Sequence, residues 1–177
     1  KDTITYCLKP NTDFTFKGTL IDKKTGEALK VDGEVIEESI DITTEEACGQ
    51  AEMMFEVDAS SLAGHEIVVF ERLYYNDEFV MSHEDIDDEE QTVFLIDLTT
   101  FATNSEDNTK DVVASGIVRI RDVVKYCLKA NTEFTVKGIL MNKDTKKPLL
   151  VDGKTVEQTI TFTPEDTCGE TEMFYEF

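Results

Sequence analysis

The chain has 177 residues, with 38 acidic against 17 basic side chains and a formal net charge of −21. This balance argues against nucleic acid and anionic membrane surfaces, both of which need a Lys/Arg surplus, and its plain role is solubility. No apolar run approaches the roughly eighteen residues of a membrane-spanning helix. No leader or anchor sequence is read either, so an exported protein is expected to extend beyond these residues.

From the start of the chain the pattern is β. "TDFTFKGTLID" (12–22) alternates polar and apolar and is rich in Thr and Phe. "KKTGEAL" (23–29) and "VDGEV" (31–35) place Gly at turn positions, the second as an Asp-Gly of the hairpin type. "DASSLAG" (58–64) is the one stretch that suggests a helical turn. "EIVVFERLYYNDEFVMSH" (66–83) reads as strand, Asn-Asp turn, strand, and the acidic "DIDDEE" (85–90) leads into an apolar run opened by Gln91. Many short strands with frequent turn signals predict an all-β fold of tandem immunoglobulin-like antiparallel β-sandwich domains.

The chain then repeats itself. Residues 1–57 align without a gap to residues 121–177, and about half the positions are identical. The offset is far longer than the repeat of a solenoid, so it reads as tandem domains. We expect one repeat over 1–97, lacking its first strand, and the start of the next over 98–177, lacking its final strands. The cysteines follow the same repeat: Cys7 and Cys48 in one copy, Cys127 and Cys168 in the other. No C-x-x-C or neighbouring histidine suggests zinc. Equal spacing suggests one disulfide per repeat, Cys7–Cys48 and Cys127–Cys168, and an oxidising, extracellular setting; the alternative is four buried thiols.

Strand phase puts several polar residues on apolar faces. Asp122 alternates with Ile120, Val124 and Tyr126, and its counterpart Asp2 with Ile4 and Tyr6. Glu71 follows Ile67 and Val69. Gln91 alternates with Val93 and Leu95, although Phe94 and Ile96 leave its face ambiguous. Thr99 shares a face with Phe101. An inward carboxylate is costly unless paired or protonated, and two of them can share one proton. A threonine hydroxyl becomes a nucleophile when a base such as His83 takes its proton, and a glutamine amide becomes an acceptor when a neutral acid polarises its oxygen. The product of that chemistry is a Thr–Gln ester, with ammonia released.

These stretches resemble the Thr–Gln ester-bond domain, or VaFE repeat, of Gram-positive surface adhesins. The resemblance rests on "KDTITYCLKPNTDFTFKGTLID" and its copy "RDVVKYCLKANTEFTVKGILMN", on "LLVDGKTV", on "ASSLAGHEIVVFE" with its VVFE at 68–71, and on "SHEDIDDEEQTV", where H-E-D precedes D-x-x-Q-T. It implies an autocatalytic ester joining the first and last strands of each sandwich, formed in a single turnover without a cofactor, in domains that stack into a cell-surface stalk or fibre. Carried over, Gln91 is the acyl partner, His83 the base, and Glu71 with Asp2 the acid pair of the first copy. Thr99 is the nucleophile of the second copy, with Asp122 as its acid and Thr100 as its nearest competitor. The partners completing either link would lie outside residues 1–177, in neighbouring repeats or in other copies of the chain.

Three rival readings remain. An isopeptide-bonded pilin domain would use Lys17 or Lys137. A hydrolase would use His83, Glu71 and a hydroxyl, but the chain has no G-x-S-x-G elbow. A ligand- or calcium-binding module would use residues 85–90, which lack the Gly and final Glu of an EF-hand loop.

Overall fold

The computed structural model describes residues 1–177, which divide into two units, Lys1–Leu95 and Ile96–Phe177. Both are built from antiparallel strands without any helix. The longer strands of the first unit are β1 (Asp2–Cys7), β2 (Thr12–Asp22), β3 (Glu37–Thr44), β4 (Cys48–Met53), β5 (Glu66–Tyr75), β6 (Glu78–His83) and β7 (Thr92–Phe94). Those of the second are β8 (Asp97–Asn104), β9 (Arg119–Cys127), β10 (Phe134–Ile139), β11 (Glu157–Phe162) and β12 (Cys168–Glu176).

In the first unit β2 is central. It pairs with β3 on one edge and β5 on the other, and the far edge of β5 is shared by β6 and β7. The alternation of β2 sends Phe14, Phe16 and Leu20 inward and leaves Lys17 and Thr19 outward or partly so. Facing this sheet is the two-stranded β1–β4 ladder. Met53, wholly buried, packs with Phe14, Phe16 and Leu73. A side chain at Gly18 would collide with Met53 Sδ and Phe55, so glycine here sets how closely the two layers of the sandwich approach.

Turn chemistry is as expected from sequence. Asp32 and Gly33 both take positive φ (54° and 87°), as do Asn76 and Asp77 (49° and 63°) between β5 and β6, the backbone of tight primed hairpins. The "DASSLAG" stretch corrects the helical expectation. Asp58 Oδ1 accepts the Ser60 N–H at 2.9 Å, Leu62 N bonds Ala59 O, and His65 N bonds Leu62 O, giving consecutive turns that end at Gly64 with φ 84°. The unit closes later than this stretch but earlier than Asp97: Leu95 N donates to His65 O at 2.9 Å, whereas Asp97 pairs with Cys127 in the second unit.

The second unit repeats the ladder. Asp122↔Met173 through Cys127↔Cys168 (β9–β12) reproduces Asp2↔Met53 through Cys7↔Cys48 (β1–β4) residue for residue. Val124, Met173 and Tyr175 are buried against Val136 and Ile160 of the β10–β11 pair. β9 carries β8 on its other edge, while β1 pairs only with β4. Both cysteine pairs are disulfides across the last rung of these ladders, with Cα–Cα distances of 4.0 and 4.1 Å.

Candidate functional site

The inward face of β5 runs Ile67, Val69, Glu71, Leu73, so ordinary strand alternation delivers one carboxylate into the core. Glu71 is 5 % exposed and lies in a row with Gly18 of β2 and His83 of β6. Asp2, 7 % exposed, reaches the same region from the start of β1. Both Glu71 oxygens and Asp2 Oδ2 are buried without a donor from any other group. Two ionised carboxylates offer each other only acceptors, and a single shared proton converts the contact into a hydrogen bond. Burial, then the hydrogen bond and charge of Asp2, and last the charge of Asp88, push Glu71 up to about 8.

His83 Nδ1 stands 3.5 Å from Glu71 Oε2, and its Nε2 stands 3.2 Å from Asp88 Oδ2. The imidazole is thus held between two acids. Asp88 was not assigned a role from sequence; it is the Asp of D-x-x-Q-T, hidden in a run of five acidic residues among six. Its other oxygen accepts the Glu90 N–H at 2.8 Å. Gln91 follows, and its carbonyl accepts the N–H of Val69 at 3.2 Å, which fixes it beside β5.

Glu71, His83 and Gln91 line one groove of about 550 Å³ together with β1 residues 3–7, Phe16, Leu73 and Met81. The structure therefore brings four of the expected residues, Asp2, Glu71, His83 and Gln91, to one place. The groove runs along the edge of β1 that corresponds to the β8-bearing edge of β9.

The second unit shows what such an edge accepts. Directly opposed residues of adjacent strands project to the same face. Ala102 opposes Asp122 and Thr100 opposes Val124, which is wholly buried. Thr99 instead opposes Lys125 and shares the outer face with Phe101, which is 56 % exposed. The register thus separates Thr99 from Asp122 and places Thr100 on the Asp122 face. From sequence Phe101 points the other way, because an aromatic side chain commonly marks a core face. Burial raises the Asp122 carboxyl, against smaller lowering effects from the Phe101 backbone and the Lys110 charge; its Oδ1 is buried without a donor.

Of the rival readings, the isopeptide lysines sit elsewhere, whereas His83 and Glu71 of the hydrolase reading and Asp88 and Glu90 of the acidic run lie in or beside the groove. Lys17 is outward, with Nζ over the Tyr74 ring at 5.1 Å, and Lys137 pairs with Glu157 at the surface at 2.9 Å. In the acidic run, Asp85 Oδ1 and Asp88 Oδ1 accept backbone N–H groups of Asp87 and Glu90, and no group of three or more acidic, His or Cys side chains converges to hold a metal ion.

No curated protein and no solved structure matches the chain. The model of the T-Q ester bond containing domain matches it twice, over residues 1–95 and 96–177, the same division the structure makes. With its acid pair, imidazole and glutamine around one strand-edge groove, the chain belongs to the family of T-Q ester bond containing domains, in two consecutive copies.

Proposed function

We propose that the chain is a piece of an extracellular, cell-surface stalk or fibre of the adhesin type, whose repeats are each closed by an autocatalytic Thr–Gln ester and braced by a disulfide. The observation that carries this reading is the groove: Glu71 of a buried acid pair, an acid-braced histidine and a glutamine lie along the edge of β1 whose counterpart in the second unit is filled by a threonine-bearing strand.

In this mechanism a strand of the β8 type adds to β1, antiparallel as β8 adds to β9. By the register of the second unit its threonine at the Thr100 position opposes Ile4, and its alanine at the Ala102 position opposes Asp2. His83 removes the hydroxyl proton while Asp88 holds the ring and stabilises the imidazolium. The alkoxide attacks the side-chain carbonyl carbon of Gln91. The proton between Glu71 and Asp2 hydrogen-bonds the developing oxyanion, as a neutral buried acid does in other proton-transfer sites. The tetrahedral intermediate collapses, the C–N bond breaks, and His83 returns the proton to the departing ammonia. A hydroxyl and a primary amide become an ester and ammonia, with no oxidant or cofactor. The site acts once, so the protein is a substrate of its own chemistry and not a turnover enzyme. Partners in this reading are neighbouring repeats or other copies of the chain.

The test uses the full chain and a synthetic peptide spanning residues 96–106. Incubation is expected to yield a species with the combined mass less one ammonia, mapped to Gln91 and cleaved by hydroxylamine, which opens an ester but not an isopeptide. A peptide with Thr99→Ala should react and one with Thr100→Ala should not. Failure of the unsubstituted pair to link, with the peptide shown to bind, rejects the ester reading.

A further inference from the structure

Residues 85–92 form a turn closed on itself by hydrogen bonds. Asp88 N donates to Asp85 O at 3.3 Å, Asp87 N to Asp85 Oδ1 at 3.0 Å, and Glu90 N to Asp88 Oδ1 at 2.8 Å. The shortest of the set is from the Thr92 hydroxyl to Asp88 O, 2.6 Å and partly buried. Thr92 N also reaches Glu89 O at 3.4 Å. Outside the turn, Lys23 Nζ lies 3.3 Å from Glu89 Oε1 and ties the middle of the turn to the end of β2.

This turn carries two groups the reaction needs, three residues apart: the Asp88 carboxylate on His83 and the Gln91 carboxamide. We infer that Thr92 is a positioning residue for the cross-link, its hydroxyl clamping the turn so that Asp88 meets His83 while Gln91 faces the groove. The inference rests on the ester reading above. Thr92 opens β7 and opposes Val68, so its backbone is fixed by the ladder and its side chain is the one movable connection back to Asp88. A β-branched residue suits that strand position; only the hydroxyl explains threonine over valine. Without it the Asp88 carbonyl loses its donor, and the turn keeps only its backbone and Asx bonds and the Lys23–Glu89 pair to hold the two reactive groups toward the groove. Misplacement of reacting groups by about an ångström costs up to a hundredfold in rate.

The experiment measures the rate of linkage between the full chain and the 96–106 peptide. Thr92→Val, which keeps the shape and removes the donor, is expected to slow linkage by roughly ten- to a hundredfold. Thr92→Ser is expected to restore it to within about threefold of the parent, because the donor returns. Unlinked chains with and without Thr92→Val should melt together, which separates positioning from stability. Thr92→Ala gives the same reading if valine perturbs the fold. Linkage by Thr92→Val at the parental rate overturns the inference, and so does a Thr92→Ser chain as slow as Thr92→Val. If the unsubstituted chain forms no link at all, the ester reading falls first and this one with it.

Discussion

Replacing Glu71 with glutamine tests the acid pair directly. In the native protein Glu71 holds a proton up to about pH 8, whereas in the unfolded chain it ionises near its ordinary 4.5. Between those values the folded state binds more protons than the unfolded state, so stability is full below the lower value and is lost as pH rises through the upper one. Each unit of displacement is worth about 1.4 kcal/mol, which sets a ceiling of about 4–5 kcal/mol. The proton belongs to the Glu71–Asp2 pair together, and we expect a loss of about 2–4 kcal/mol between about pH 5 and pH 9. Glu71→Gln has no proton to lose and offers Asp2 an N–H donor, so its stability should stay nearly flat over this range and exceed that of the parent at the alkaline end. The His65–Asp22 pair is common to both chains and cancels in the comparison. Hydrogen exchange of β2 and β5 peptides across a urea series, in unlinked protein, reads the first unit apart from the second. Parallel pH profiles for the two chains would refute the shared-proton account, as would a parent that gains stability from pH 5 to 9.

Burial alone would raise Asp22, yet the hydrogen bond and charge of His65 and the N–H groups of Thr25 and Lys24 hold it below its ordinary value. Asp22→Asn should keep the turn, as Asn142 does at the equivalent place in the second unit, but lose about 1–2 kcal/mol of local stability, seen as faster amide exchange over residues 62–66. The Asp22 contribution should be present above pH 4 and disappear as pH falls through the depressed value, and the Asn chain should lack that acid limb. Reducing the disulfides should cost each unit about 4 kcal/mol in urea unfolding, and non-reducing peptide maps should show only Cys7–Cys48 and Cys127–Cys168.

Local chemistry made much of this architecture legible. Alternation exposed the inward Glu71 and Asp2, because a period of two has no other place for them. Asp32-Gly33 and Asn76-Asp77 announced their turns because few residues tolerate positive φ. What escaped was set by partners distant in sequence. Thr99 and Thr100 are adjacent and chemically identical, and only pairing with Lys125 and Val124 tells them apart. Asp88 looks like its acidic neighbours until His83 is placed beside it. The stretch 58–64 has residues that suit a helix, but Asp58 spends its carboxylate on an Asx turn, and Gly64 N is claimed by Leu95 O at 2.7 Å.

The close succession of β7 and β8 has a consequence for attack by proteases. In the fibre proposed above, with Gln91 esterified to a preceding strand and Thr100 to a following one, a nick elsewhere in a repeat would open a ring but leave the fibre in one piece. Only the peptide bonds between Gln91 and Thr100 lie in no ring. Most of that window is hydrogen-bonded in β7 and β8, and Ile96, 70 % exposed, lies just outside both ladders. A filament of these repeats would therefore have one vulnerable address per repeat, a few residues wide and largely zipped into sheet, while the rest of its surface could be cut without the two ends parting.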